Sequence, residues 1–98
     1  MYGTVARLKV KPGMEAKLSD EMKTYETLKI PGFLGTWVYK MDSEPNIYYL
    51  AVGFQDKNAY EKNANDPAQD ARYRRMVQFL DGEPEWHDGE IIYSSPMG

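Results

Sequence analysis

The order of the strand and helix patterns along the chain constrains its fold more than any single residue does. Alternating apolar stretches typical of strands and stretches with helical periodicity follow each other in the order β-α-β-β-α-β. The predicted strands are residues 2–11, 33–41, 47–55 and 86–94, and the predicted helical regions are residues 14–29 and 56–80. This order is the split βαβ, or ferredoxin-like, plan. We therefore predict an α+β fold in which an antiparallel sheet carries its helices on one face.

Length and charge limit the kinds of protein this chain can be. Its 98 residues suit a single domain over residues 1–98. The 15 acidic residues outnumber the 12 basic ones, which argues against nucleic acid as a partner because phosphate binding needs a basic face. No apolar run approaches the roughly 20 residues of a membrane-spanning helix. With no signal-peptide pattern at the start, the expected location is the cytoplasm.

The chain is poor in residues that bind metals. It has no cysteine and one histidine, His87, which excludes thiolate metal sites, iron–sulfur clusters and thiol catalysis. Glu85, Asp88 and Glu90 lie near His87, but neighbours in a strand alternate between faces, so at most one of these acids can join it. We therefore predict that the protein needs no metal and no haem cofactor.

The two middle strands form a predicted hairpin that is apolar on both faces. If Met41 faces Ile47 across the turn, Trp37 faces Ala51 and Gly35 faces Gly53. The face predicted to lie under the helices comprises Leu34, Val38, Leu50, Val52 and Phe54. The opposite face comprises Phe33, Trp37, Tyr39, Tyr49, Ala51 and Gly53. A solvated sheet face should be polar, so the second apolar face predicts a homodimer.

Both helical regions carry an apolar stripe and recognisable ends. The first stripe comprises Met14, Leu18, Met22, Tyr25 and Leu28. In the second region Asp56 is a predicted N-cap, and Asp66 followed by Pro67 predicts a new start after an interruption. The stripe predicted for that last helix comprises Ala68, Ala71, Met76, Phe79 and Leu80. Such stripes are typical of helices that pack by one side.

Several segments resemble the antibiotic biosynthesis monooxygenase superfamily over about residues 2–94. They are PGFLG at 31–35, EPN at 44–46, FQDKNAY at 54–60 and the opening ARLKVKPG at 6–13. The resemblance implies a dimeric α/β barrel, closed by the sheets of two subunits, with a ligand pocket between each sheet and its helices. The superfamily includes cofactor-independent monooxygenases, isomerases and haem-degrading enzymes. Haem-degrading members use a helix histidine, and neither helical region here contains one.

Five residues are candidates for a functional site. Aromatic walls with few polar groups hold planar organic molecules, so Tyr25, Trp37 and Tyr60 are predicted to bind substrate, and Arg72 to reach a carboxylate or phenolate. A histidine side chain can serve as a general base near neutral pH, so His87 is the candidate general base, which would remove a phenolic or α-carbonyl proton. For each, a structural role in the core, an interface or the surface is the alternative.

The leading functional prediction is a small-molecule pocket protein. It resembles cofactor-independent monooxygenases that oxidise a planar aromatic or quinone-like substrate, or isomerases that act on one. The alternatives are a non-catalytic ligand-binding or stress-related barrel protein and, third, a structural dimer without a pocket. Because one fold hosts many chemistries, the residues leave open whether the protein is an enzyme.

Overall fold

The computed structural model describes residues 1–95 and has the predicted order of elements. The elements are β1 (Tyr2–Lys9), α1 (Glu15–Lys23), a 3₁₀ helix (Thr24–Thr27), β2 (Phe33–Lys40), β3 (Ile47–Phe54), α2 (Lys57–Ala64), α3 (Pro67–Val77) and β4 (Glu85–Glu90). The α+β ferredoxin-like prediction is confirmed. Residues 96–98, the end of the predicted domain, lie outside the described part of the chain. No helix within residues 1–95 is long and apolar enough to cross a membrane.

The four strands form one antiparallel sheet in the order β2-β3-β1-β4. The predicted hairpin register is confirmed, since Trp37 pairs with Ala51 and Gly35 with Gly53. Strand β1 lies in the centre and pairs with β3 on one side and β4 on the other. Thr4 of β1 therefore stands between Val52 of β3 and Asp88 of β4.

A β-bulge at the start of β2 exchanges the two faces predicted for its first residues. The register shifts between Phe33 and Gly35, so Leu34 is the extra residue and the alternation slips by one. Phe33 now packs its ring 5.6 Å from that of Phe54, on the helix side. Leu34 is 49% exposed and lies near Gly53 on the opposite face. The predicted placements of Phe33 and Leu34 were therefore wrong.

The first helix is shorter in the structure than the predicted range of residues 14–29. The α-helical part ends at Lys23 and continues as a 3₁₀ turn, in which the hydroxyls of Thr24 and Thr27 donate to the carbonyls of Glu21 and Thr24. Such bonds between a hydroxyl and a nearby carbonyl compete with regular helix geometry. Leu28 lies after the turn and is exposed.

The last strand is also shorter than predicted. Tyr2 pairs with Glu90, so residues 92–95 extend past the end of β1 and pair with no strand of the described chain. The final contact is a 2.9 Å bond from the amide of Ile91 to the carbonyl of Met1. Ile92 and Tyr93, predicted as part of the strongest section of this strand, are 90% and 79% exposed and lie outside it.

Side-chain caps divide the second helical region as predicted. Asp56 accepts a 2.7 Å bond from the amide of Ala59, and Asp66 accepts a 3.0 Å bond from the amide of Ala68. Each bond satisfies an amide that would lack a partner at a helix start. Pro67 is the first residue of α3, where its missing N–H is harmless.

The predicted stripe of α3 is correct at its end and wrong at its start. Met76 and Leu80 are buried, but Ala68 and Ala71 are exposed. The inward face instead runs through Gln69, Tyr73 and Met76, a spacing of four and three residues. The polar side chain of Gln69 therefore faces inward, whereas the apolar periodicity had predicted that Ala68 and Ala71 would do so.

The core fills one half of the space between sheet and helices. Its buried residues are Ala6, Leu8, Val10, Leu18, Leu50, Met76 and Leu80. Over Thr4 and Val52, side chains do not fill the space between the sheet and the helices. A cavity lies there instead. The position of the core along β1 thus determines where a ligand has room.

The sheet face away from the helices carries an exposed apolar patch. Its large exposed side chains are Val5, Leu34, Trp37 and Tyr39. The side chain of Trp37 is 55% exposed. Such an exposed aromatic residue is unusual, because a solvated sheet face is normally polar. The sequence prediction of a second apolar face is confirmed.

Candidate functional site

A cavity of about 450 Å³ lies between the sheet and the helices. Its apolar lining comprises Met22, Ile30, Leu50, Val52, Ala64, Met76 and the aromatic residues Tyr25, Phe33, Phe54, Tyr73 and Trp86. Volumes of a few hundred cubic ångströms with mostly apolar walls are typical of sites for small organic molecules. The position matches the pocket that the family resemblance implied.

Three polar side chains meet at the β1–β4 side of the cavity. Thr4 and Asp88 are directly opposite each other on neighbouring strands, so their side chains share the helix-facing side. Tyr60 reaches them from α2, and its hydroxyl donates a 2.8 Å hydrogen bond to Asp88 Oδ1. Three elements distant in sequence therefore build one polar end, which we call the polar end of the cavity.

The surroundings of Tyr60 favour the neutral form of its phenol over the ionised form. Burial, followed by its hydrogen bond to Asp88, raises the pKa of Tyr60 to about 12. Thr4 acts in the opposite direction, because a nearby hydroxyl can donate to the ionised phenol and lowers the pKa. At neutral pH Tyr60 is therefore a hydrogen-bond donor.

The ring of Tyr60 is held by two other aromatic rings. Tyr2 lies 5.3 Å away and Phe54 lies 5.6 Å away between ring centroids, both in edge-to-face arrangements. Such pairs contribute about 0.5–1.5 kcal/mol beyond their buried area. This packing fixes the direction in which the Tyr60 hydroxyl points.

Thr4 has a buried hydroxyl without a partner. The residue is 6% exposed, and within residues 1–95 its Oγ1 makes no hydrogen bond. Leaving such a group unpaired costs about 1–3 kcal/mol. Thr4 also lines the cavity, but its Oγ1 has almost no accessible surface there.

The acidic side chain of Glu21 on the α1 side of the cavity already has a partner. Glu21 Oε1 accepts a 2.7 Å bond from Arg75 Nε, and the Glu21 side chain is only 15% exposed. The pair joins α1 to α3 beneath the cavity. Because its charge is compensated, Glu21 is less suited than Asp88 to receive a proton from a ligand.

Of the predicted substrate-binding residues, Tyr25 and Tyr60 line this cavity. Arg72 lines a neighbouring surface cavity of about 480 Å³. It donates to Gln69 at 3.1 Å and lies 5.4 Å from the centre of the Tyr25 ring. Arg72 thus supports Tyr25 and Gln69, two residues of the cavity wall. Trp37 lies on the opposite face of the sheet.

His87 lies between two cavity residues but points away from the cavity. Trp86 and Asp88 line it, and side chains alternate along β4, so His87 lies on the other face, opposite Val5. It is exposed there. The proposed role of His87 as a base stays a prediction, but in this chain it does not reach the cavity.

Sequence reasoning missed Thr4, Trp86 and Asp88 as site residues. Asp88 was considered only as a neighbour of His87. The i, i+2 spacing of Trp86 and Asp88 was an available signal, because it places an aromatic ring and a carboxylate on one strand face. Which face this was depended on the pairing of β4 with β1. Within residues 1–95, no cluster of three or more metal-binding side chains (His, Cys, Asp or Glu) is placed to hold a metal ion.

Comparison with known proteins agrees with this architecture. The family model described as antibiotic biosynthesis monooxygenase matches residues 1–75. The fold is similar to SnoaB, a cofactor-independent oxygenase from Streptomyces nogalater solved as a mutant, with a TM-score of 0.82, 14% identity and coverage of 97% of this chain and 96% of the other. No curated protein matches the sequence.

Two further solved structures share the fold. A conserved protein from Methanosarcina mazei has a TM-score of 0.79 and 22% identity, and covers 90% of this chain and 89% of its own. A protein of unknown function from Nitrosomonas europaea has a TM-score of 0.77 and 22% identity, and covers 99% and 95%. At these identities the likeness concerns the fold.

Proposed function

Because the chain belongs to the antibiotic biosynthesis monooxygenase family, we propose that its cavity binds a planar aromatic molecule and that the protein oxidises it without a cofactor. The observation that carries the proposal is the apolar cavity with the Tyr60–Asp88 hydrogen bond at its polar end. The likeness of its fold to that of SnoaB, a cofactor-independent oxygenase, supports the same reaction class.

The cavity walls suit a flat apolar ring system. Met22 and Met76 have flexible side chains that adapt to a ligand's shape, and Tyr25, Phe33 and Trp86 offer aromatic surfaces. A ligand placed there would bury its ring between the sheet and the helices. Its polar substituent would then lie at Thr4, Tyr60 and Asp88.

Asp88 and Tyr60 have complementary roles in the proposed reaction. The Asp88 carboxylate accepts a proton from an acidic C–H or O–H of the ligand, which leaves an anion delocalised over the ring. Tyr60 donates its single O–H proton to Asp88 Oδ1 and so holds in place the carboxylate that accepts the proton. Asp88 is exposed, so the proton can pass from it to water.

The anion then reacts with oxygen itself. It transfers one electron to O₂, and the resulting radical and superoxide combine, with a proton, to a hydroperoxide. Loss of water leaves a carbonyl. Overall, one CH₂ group and one O₂ become one C=O group and one H₂O, so atoms and electrons balance. An isomerase would instead return the proton to a different carbon and consume no oxygen.

We also propose that two copies form a barrel through their apolar sheet faces. The exposed side chains of Val5, Leu34, Trp37 and Tyr39 support this, because contiguous apolar patches mark interaction sites. In such a dimer Trp37 and His87 lie at or near the interface, and the predicted roles of these two residues in substrate binding and catalysis would depend on the partner subunit.

Oxygen uptake with a panel of anthrones and hydroquinones tests the reaction. An anthrone should consume one O₂ per molecule and give the quinone, and Asp88→Asn should reduce turnover by about 10²–10⁴-fold. Asp42→Asn, an exposed acid in the β2–β3 turn, is the matched control. Uptake no faster than spontaneous oxidation across the panel would contradict the oxygenase proposal.

Non-catalytic ligand binding is the second candidate. It is favoured by the position of His87, the histidine of the chain, which lies outside the cavity. Calorimetric titration with the same panel separates the two. Binding without oxygen uptake or isomerisation supports a binder, and binding with turnover supports an enzyme.

A further inference from the structure

We propose that the surface cavity of about 480 Å³ beside the main cavity binds a carboxylate of the ligand through Arg72. The inference rests on the proposed function of the main cavity and adds one property of its ligand, which is a planar ring system that carries a short acidic side arm. The starting observation is the Arg72 guanidinium, which the reaction described above does not use.

Arg72 differs from the other arginines of the chain in having no acidic partner. Arg7, Arg74 and Arg75 each form an ion pair with a carboxylate. Within residues 1–95, Arg72 forms none, although acidic residues outnumber basic ones in the chain. The residue is half-buried, and a guanidinium is always charged in proteins. An anion from outside the chain can therefore supply the missing partner.

Two contacts hold the Arg72 guanidinium in one place. Its Nε donates a 3.1 Å hydrogen bond to Gln69 Oε1, and its central carbon lies 5.4 Å from the centre of the Tyr25 ring. The two terminal nitrogens of the guanidinium donate to no acceptor within the described chain. A planar group with two such donors matches a carboxylate, which it binds through two parallel hydrogen bonds.

Two lysines add positive charge to the surface cavity. Lys29, in the loop before β2, and Lys62, on α2, line it together with Arg72, and neither lysine forms an ion pair within residues 1–95. Asp56 and Asp66 also line this cavity, and each carboxylate accepts a bond from an amide at a helix start. The lining therefore has three positive and two negative side chains, whereas the net charge of the whole chain is −3.

The main cavity has the opposite charge. Its charged lining residues are all acidic, namely Glu21, Asp70 and Asp88. A ligand carboxylate inside it would lie among like charges, which is unfavourable. The acidic group of a ligand is therefore favoured outside the main cavity, while its ring lies between the sheet and the helices.

The two cavities share part of their walls. Ile30 and Asn63 line both of them. Arg72 lines the surface cavity and contacts Tyr25 and Gln69, which line the main cavity. A ligand whose ring occupies the main cavity can therefore extend a short side arm past Ile30 and Asn63 to Arg72.

Matched acid and amide probes test the side arm by calorimetry at neutral pH and low salt. They are 2-naphthylacetic, 3-(2-naphthyl)propionic and 4-(2-naphthyl)butyric acid, each compared with its primary amide, which has the same shape and no charge. At the linker length that reaches Arg72, the wild-type protein should bind the acid about five- to tenfold more tightly than the amide. The preference should shrink as salt is added, because salt screens exposed charges.

Two substitutions at Arg72 separate its charge from its planar shape. Arg72→Met removes the charge and should abolish the preference for the acid, whereas Arg72→Lys keeps the charge without the planar group and should retain about two- to threefold. Lys17→Met, at an exposed position of α1 that lines neither cavity, is the matched control and should keep the full preference. The ratio of acid to amide affinity is compared, because a shift of Tyr25 in the Arg72 variants would affect both probes alike.

The outcomes distinguish this inference from the function on which it rests. Equal affinities for acid and amide at all three linker lengths, or a preference that survives Arg72→Met, overturns the carboxylate subsite while the main cavity remains a binding site. Acetate that displaces the bound acid at equal concentration would show a site for free anions and overturn the side arm. Failure of every acid and amide to bind the wild-type protein would contradict the ligand-binding cavity and the subsite together. Circular dichroism of each variant shows whether the fold is retained.

Discussion

The hydroxyl of Tyr60 donates a 2.8 Å hydrogen bond to Asp88 Oδ1 and so joins α2 to the edge strand β4. The bond connects residues 28 positions apart in the sequence. It connects α2, the first helix of the second helical region, with β4, the last strand of the chain. Both partners line the cavity, so this contact forms part of the cavity wall.

The raised pKa of Tyr60 predicts how stability changes at alkaline pH. The folded-state pKa of about 12 exceeds the ordinary value of 10.0. The folded state therefore holds this proton more tightly, and its contribution is complete below about pH 10 and is lost as the pH rises towards 12. Urea unfolding should show a steeper loss of stability over this range in wild type than in Tyr60→Phe. Parallel curves would contradict the assignment.

Substitution of Thr4 should stabilise the free protein. Thr4→Val removes a buried hydroxyl that has no partner in the described chain and keeps the side-chain shape, so the free energy of unfolding should rise by about 1–2 kcal/mol. Thr36→Val, at an exposed position, should change it by less than about 0.5 kcal/mol. Chemical denaturation measures both. A destabilised Thr4→Val protein would show that the hydroxyl is satisfied within the fold.

Asp88 and His87 are adjacent in sequence but should differ in their effect on turnover. Asp88 lines the cavity and His87 points to the other face. We therefore expect Asp88→Asn to reduce the rate by about 10²–10⁴-fold and His87→Ala to reduce it much less. Steady-state oxygen uptake gives both values. A large loss with His87→Ala alone would support the sequence-based assignment of His87 as the base.

The apolar outer sheet face should make the protein a dimer. Sedimentation at micromolar concentration should give about twice the chain mass of 11.3 kDa. Trp37→Lys places a charge in the middle of that face and should shift the equilibrium towards monomer, whereas Ala71→Lys on the exposed side of α3 should not. A monomeric wild-type protein would contradict the barrel.

Two neighbouring arginines of α3 allow a matched test of ion pairs. Arg75 bonds Glu21, whose side chain is 15% exposed, whereas Arg74 bonds Asp70 at an exposed position. Arg75→Met should lower the free energy of unfolding by about 1–2 kcal/mol because it leaves a mostly buried carboxylate unpaired. Arg74→Met should cost less than about 0.5 kcal/mol. Equal effects would mean that burial of Glu21 does not matter.

The sequence alone determined the fold class, the hairpin register and the helix starts. Each depends on local or short-range information. The register follows from a short turn, which keeps Trp37 opposite Ala51. The starts at Asp56 and Asp66 follow from side chains that bond amides two or three residues away.

Only the tertiary structure decided the faces of individual residues and the membership of the site. The bulge at Leu34 exchanges the faces of two residues through one extra position in a strand. Thr4, Tyr60 and Asp88 meet because β1 separates β3 from β4 and α2 crosses above them. A cavity depends on where several elements leave space, and periodicity along one segment carries no information about the distance to another.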